Sequence, residues 1–149
     1  MRLLIEGQPR NITLKEVEYA TNFFCRKLIS AQLLRHLTVI ITFKKLRGLK
    51  GLAEAIDCDI KPREFHVQIR ETMSRQNILK TLAHELVHVK QYARKELGVV
   101  LIGSRLRWHD QMIDSAATNY WEYPWEIEAY GREVGLYEMY HHHLAQNNS

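Results

Sequence analysis

From Leu14 onward, Val17, Ala20, Phe24, Leu28 and Ala31 recur at intervals of three or four, the spacing that places side chains on one face of an α-helix. Thr13 precedes this run and Glu16 follows three residues later, a capping-box pattern. Together they predict a first helix over TLKEVEYATNFFCRKLISAQLL with one face in a core. LTVIITF, Leu37 to Phe43, is β-branched and nearly continuous, and predicts a strand buried on both faces. The glycines within Lys44 to Gly51 mark a turn or loop. REFHVQIR, Arg63 to Arg70, alternates: Phe65, Val67 and Ile69 point one way, Glu64, His66, Gln68 and Arg70 the other. That pattern predicts a strand with one wet face.

Ser74 is placed to cap a second long helix, ILKTLAHELVHVKQYARKEL, running to Gly98. Leu79, Leu82, Leu86, Val89 and Ala93 form its apolar stripe, and Lys90, Arg94 and Lys95 suit the negative end of the helix dipole. Val99 to Pro124 opens with the short apolar run VVLI and predicts a strand or hairpin, then an irregular loop. Pro124 fits the first turn of a last helix, WEIEAYGREVGLYEMYHHHL, on which Glu126, Tyr130, Val134, Tyr137 and His141 share a face expected to look inward. His141 to His143 are read as the exposed end of that helix.

A chain of 149 residues with no internal repeat or linker predicts one domain spanning 1–149. Its hydrophobic share of 46% is enough to build a core and argues against disorder. The net charge of +4 is diffuse, with local density only at Lys44, Lys45, Arg47 and Lys50, so it reads as solvated surface and no nucleic-acid partner is expected. Cys25 and Cys58 lack CxxC spacing, MRLLIEGQPRN lacks a secretory apolar stretch, and no window approaches the roughly 20 apolar residues of a membrane span. A reducing cytoplasmic setting without membrane association is the expectation, with Cys25 a small core residue.

The chemistry lies in LAHELVHVKQY. Residues four apart on a helix lie one turn apart on one side, so His84 and His88 can direct two imidazoles at one ion, and Glu85 on the adjoining strip can act as general base. A catalytic zinc takes three protein ligands and keeps a fourth position open. Gln91 and Arg94 stand where a metzincin has glycine and its third histidine, which excludes that group. WEIEA, Trp125 to Ala129, offers two glutamates instead. Glu126 shares its strip with Tyr130 and Val134 and is expected inward, whereas Glu128 shares a strip with Arg132 and His142 and is expected outward, so Glu126 is the predicted ligand.

With HELVH followed by WEIEA, the chain resembles a zincin metallopeptidase of the gluzincin group, and more specifically the small bacterial and phage-encoded metallopeptidases called SprT-like or minigluzincin-like. The resemblance covers Phe65 to about Tyr140. It implies a small α+β zincin-like domain: an N-terminal helix, a small mixed sheet whose edge strand, around Phe65 to Ile69, lines a cleft beside the HExxH helix, and a C-terminal helix carrying the glutamate ligand. It implies Zn²⁺ on His84, His88 and Glu126, with Glu85 moving the proton during hydrolysis of a peptide or protein substrate. Tyr123 and Tyr130, with Tyr120 and His109 behind them, are the candidates to donate to the developing oxyanion. Tyr130 stands where an ExxxD gluzincin has the aspartate that supports the first histidine, which leaves that support open to a carbonyl or to a carboxylate such as Asp110 or Asp114. No cysteine-rich zinc ribbon of the SprT-like kind is present. The alternative reading is a non-catalytic zinc protein that captures a regulatory partner; Glu85 speaks against it, because a merely structural site has no need of that carboxylate.

Overall fold

The computed structural model describes residues 1–58, 60–100 and 103–148. Helix α1 (Leu14–Leu28) starts where predicted, with the Thr13 side chain accepting from the Glu16 N–H. The reciprocal half of the box is absent, because the Glu16 carboxylate is taken by Arg75. The predicted helix divides in two. Ile29 is extended at φ −132°, and the Ser30 side chain caps a new short helix, α2 (Ala31–Leu34), by accepting from the Leu33 N–H.

Strands β1 (Arg2–Glu6), β2 (Thr38–Lys44), β3 (Gly51–Ala55) and β4 (Glu64–Arg70) form a mixed sheet in the order β1-β2-β4-β3. The first three strands in that order run parallel, and β3 is antiparallel to β4. This corrects two expectations. β4 is an interior strand, and the edges are β1 and β3. β2 buries Val39, Ile41 and Phe43 on one face, while Ile40 and Thr42 on the other are only half covered. The reason is one-sided packing: α1 and α3 (Arg75–Ala93) lie over the buried face of the sheet, where Phe24, Val39, Ile41, Phe65, Val67, Ile69 and Leu82 form the core.

Ser74 caps α3 as predicted, and Leu79, Leu82, Leu86, Val89 and Ala93 are all buried. The helix ends at Ala93, short of Gly98, because Lys95 adopts φ +60° and turns the chain into β5 (Leu97–Val99). β5 opens an antiparallel three-stranded sheet with β6 (Arg105–Trp108) and β7 (Gln111–Asp114). Leu101 and Ile102 of the VVLI run lie outside the described residues. A single 3-10 turn, Tyr120–Glu122, leads into α4 (Pro124–Asn147), which packs along α3. The core side of α4 carries Trp125, Ala129, Leu136 and Tyr140 rather than the predicted strip; Tyr130 and Val134 are exposed. The fold is α+β, with four helices, a mixed sheet and an antiparallel sheet among the described residues.

Candidate metal centre

The middle of α3 turns His84 and His88 away from the leucine stripe and towards α4 and places Glu85 beneath Gly51 of β3, leaving His84, Glu85 and His88 only 8%, 6% and 7% exposed. Glu126, in the first turn of α4, meets both imidazoles: Oε2 lies 3.2 Å from His84 Nε2 and Oε1 lies 3.1 Å from His88 Nε2. Ligand atoms around a tetrahedral zinc at 2.0–2.1 Å are about 3.3 Å apart, which is close to both of these nitrogen–oxygen separations, and one ligand atom from each of the three residues lies within 4.8 Å of the others. Among the described residues, these three form the group able to hold a metal ion.

The other ring nitrogens fix how the histidines present themselves. His84 Nδ1 lies 2.9 Å from Glu133 Oε2, and a carboxylate oxygen accepts, so Nδ1 donates. Gln91 donates its amide nitrogen to the Trp125 carbonyl and to Glu128 Oε1, each at 2.9 Å. That fixes Gln91 Oε1 as the atom 2.8 Å from His88 Nδ1, which therefore donates as well. Both Nε2 lone pairs then face the Glu126 carboxylate, an arrangement that requires a positive charge between them, either protons or a metal ion. Burial opposes charging His84, but Glu126 and Glu133 outweigh it and push its pKa up to about 9. His88 is raised in the same way, its burial outweighed chiefly by Glu126. Burial also acts on Glu126, yet its two imidazole partners hold it well below the usual carboxylate range.

Glu133 was not foreseen from the sequence. It stands seven residues after Glu126, two helical turns on, so the signal was the shared helical strip. Asp110 and Asp114 do not support His84; the Asp114 carboxylate accepts from Ser104 within the second sheet. Glu128, expected outward, is half-buried and pairs with Lys90 at 2.7 Å and Arg132 at 3.2 Å. With Gln91 it braces α4 against α3 and leaves the histidines to Glu126.

The site opens into a cleft of about 450 Å³ lined by Gly48 to Gly51 on one wall, Asn77, Lys80, Thr81, His84 and Glu85 on the floor, and Tyr120, Tyr130 and Glu133 opposite. Burial raises the pKa of Glu85 despite the two histidines nearby. The first residue of β3 sits directly on it: a Cβ at Gly51 would lie 3.0 Å from Glu85 Oε1 and 2.7 Å from Thr81 Cγ2. The tyrosines separate. Tyr130 packs edge-on against His84, ring centroids 4.6 Å apart, with its hydroxyl 3.4 Å from that of Tyr120. Burial and the bond to Tyr130 push the Tyr120 pKa up. Tyr123 donates to the Ser115 carbonyl at 2.6 Å, stacks on Trp125 and does not line the cleft. His109 packs on Trp108, also outside it.

Comparisons of the chain with protein-family models, with curated proteins and with solved structures found no match.

Proposed function

We propose that the protein is a zinc-dependent metallopeptidase with a zincin-like active site of gluzincin type. The observation that carries this reading is the grouping of His84 Nε2, His88 Nε2 and the Glu126 carboxylate within 4.8 Å of one another, beside an open cleft that His84 and Glu85 line. Two neutral imidazoles and a carboxylate are a donor set suited to zinc, and the partners on both Nδ1 atoms hold each ring in the orientation that ligation needs. A closed structural site would have no use for Glu85 or for the cleft. The chain order of sheet, HExxH helix and glutamate-bearing helix also agrees with the zincin plan.

Zinc, when bound, supplies Lewis acidity towards a water molecule and the substrate carbonyl. The Glu85 carboxylate would take a proton from the attacking water and pass it to the departing amine. The Tyr120 and Tyr130 hydroxyls, in the lining of the same cleft, would donate to the carbonyl oxygen as it gains charge. Tyr123 has no part in this scheme, because its hydroxyl is held by Ser115.

The test is hydrolysis of a fluorogenic peptide mixture by zinc-loaded protein. Wild type should cleave it, and Glu85→Gln should lose at least about 100-fold in rate while keeping its zinc. Equal rates for the two proteins would rule out the mechanism.

A further inference from the structure

The cleft wall formed by residues 48–51 belongs to a segment dense in cations. Lys44 ends β2 and pairs in register with Arg70 at the end of β4, and the Arg70 N–H donates to the Lys50 carbonyl, so three cationic residues meet at one end of the sheet. Lys45 and Arg47 are exposed in the loop between them. Lys80 lies on the cleft floor one turn before His84, its Nζ 5.2 Å from the Tyr137 ring centroid. Among the described residues, none of these six side chains forms an ion pair. The carboxylates of the cleft do not answer them: Glu126 and Glu133 are held by imidazoles, and Glu85 is buried.

We propose that this basic rim selects peptide substrates with acidic side chains, Lys50 and Lys80 contacting them within the cleft and Lys44, Lys45, Arg47 and Arg70 attracting them at its mouth. The inference rests on the peptidase reading of the site and names its substrate class. Cations without carboxylate partners on the wall and floor of one cleft raise the local concentration of an anionic ligand, and they do so most strongly at low salt. A nucleic acid fits less well, because the cations border a short cleft rather than a long track that could follow a phosphate backbone.

The experiment measures binding by fluorescence anisotropy, using zinc-loaded Glu85→Gln protein so that no probe is cleaved. Labelled peptides identical except for Glu, Gln or Lys at the flanking positions are compared with a single-stranded oligothymidylate. The Glu peptide should bind about tenfold or more tighter than the Gln peptide at low salt. The preference should vanish in Lys50→Gln/Lys80→Gln and persist in Lys27→Gln, a lysine that does not line the cleft. Equal binding of the Glu and Gln peptides, a preference that survives the double substitution, or tighter binding of the oligonucleotide would overturn the proposal. Hydrolysis by wild type with no acidic preference overturns this inference alone. Acidic preference without hydrolysis overturns the peptidase reading alone.

Discussion

At the residue scale, the two histidine tautomers determine the chemistry, and each depends on one neighbour. Glu133→Gln can still bond His84 Nδ1 but loses the negative charge that strengthens the imidazole as a ligand. Zinc affinity, measured by chelator competition, should fall about 10- to 100-fold, and Glu133→Ala should fall at least as far. The same carboxylates make the ion-free protein sensitive to pH. His84 is raised from 6.5 to about 9 in the folded state, so its stabilising contribution is complete below pH 6.5 and disappears as the pH climbs through about 9. Urea unfolding of ion-free protein should show this loss, and zinc uptake near neutral pH should release protons. The pair His84 and His88, with Glu85, could be read from the sequence because helical spacing is local. Glu133 and Gln91 could be read only partly, because their roles depend on the distance at which α4 crosses α3.

At the element scale, β3 touches the site through a single residue, and α1 is tied to α3 and α4 through another. Gly51 lets the edge strand lie on Glu85, and a methyl group there meets Thr81, Glu85 and the Gln68 carbonyl. Gly51→Ala should keep its zinc yet lose about tenfold or more in hydrolysis rate, because it displaces the base without touching a ligand. On the opposite side, Arg75 at the start of α3 clasps Glu16 of α1, and Tyr140 of α4 donates to the same carboxylate. The Arg75 hydrogen bond, against the opposing effect of burial, holds the Glu16 pKa below its ordinary value. Its contribution is therefore present above the normal carboxylate range and is lost as the pH falls through the lowered pKa. Arg75→Ala should cost about 1 kcal/mol in denaturant unfolding at neutral pH, and less in acid. β1 and β3 escaped the sequence reading for a physical reason. RLLIE is short, and GLAEA is poor in strand-forming residues; each is extended because a partner strand far along the chain pairs with it.

For the whole molecule, the hydrophobic pattern is enough to place α1, α3, β2 and β4, since each carries its own periodicity or apolar run, whereas α4 is placed by Pro124 at its start and buries a different face from the one its pattern predicts. Strand order is not legible in the sequence, because alternation records which face is buried and not which strand lies beside it, and the edge position that the resemblance implied for Phe65 to Ile69 belongs instead to β3. Cys25 is buried as predicted, its thiol pushed up to about 12 by desolvation, which suits a packing residue. No described helix is long and apolar enough to cross a membrane. Because the candidate ligands come from two helices, zinc should clamp α3 to α4, and zinc at about 1,000 times its dissociation constant should stabilise the fold by about 4 kcal/mol. The most direct measurement is elemental zinc content of purified, zinc-reloaded protein, comparing wild type with Glu126→Gln and Glu128→Gln. About one zinc per chain is predicted for wild type and for Glu128→Gln, with marked loss in Glu126→Gln alone. Absence of zinc from the reloaded wild type, or equal retention in all three proteins, would contradict the account.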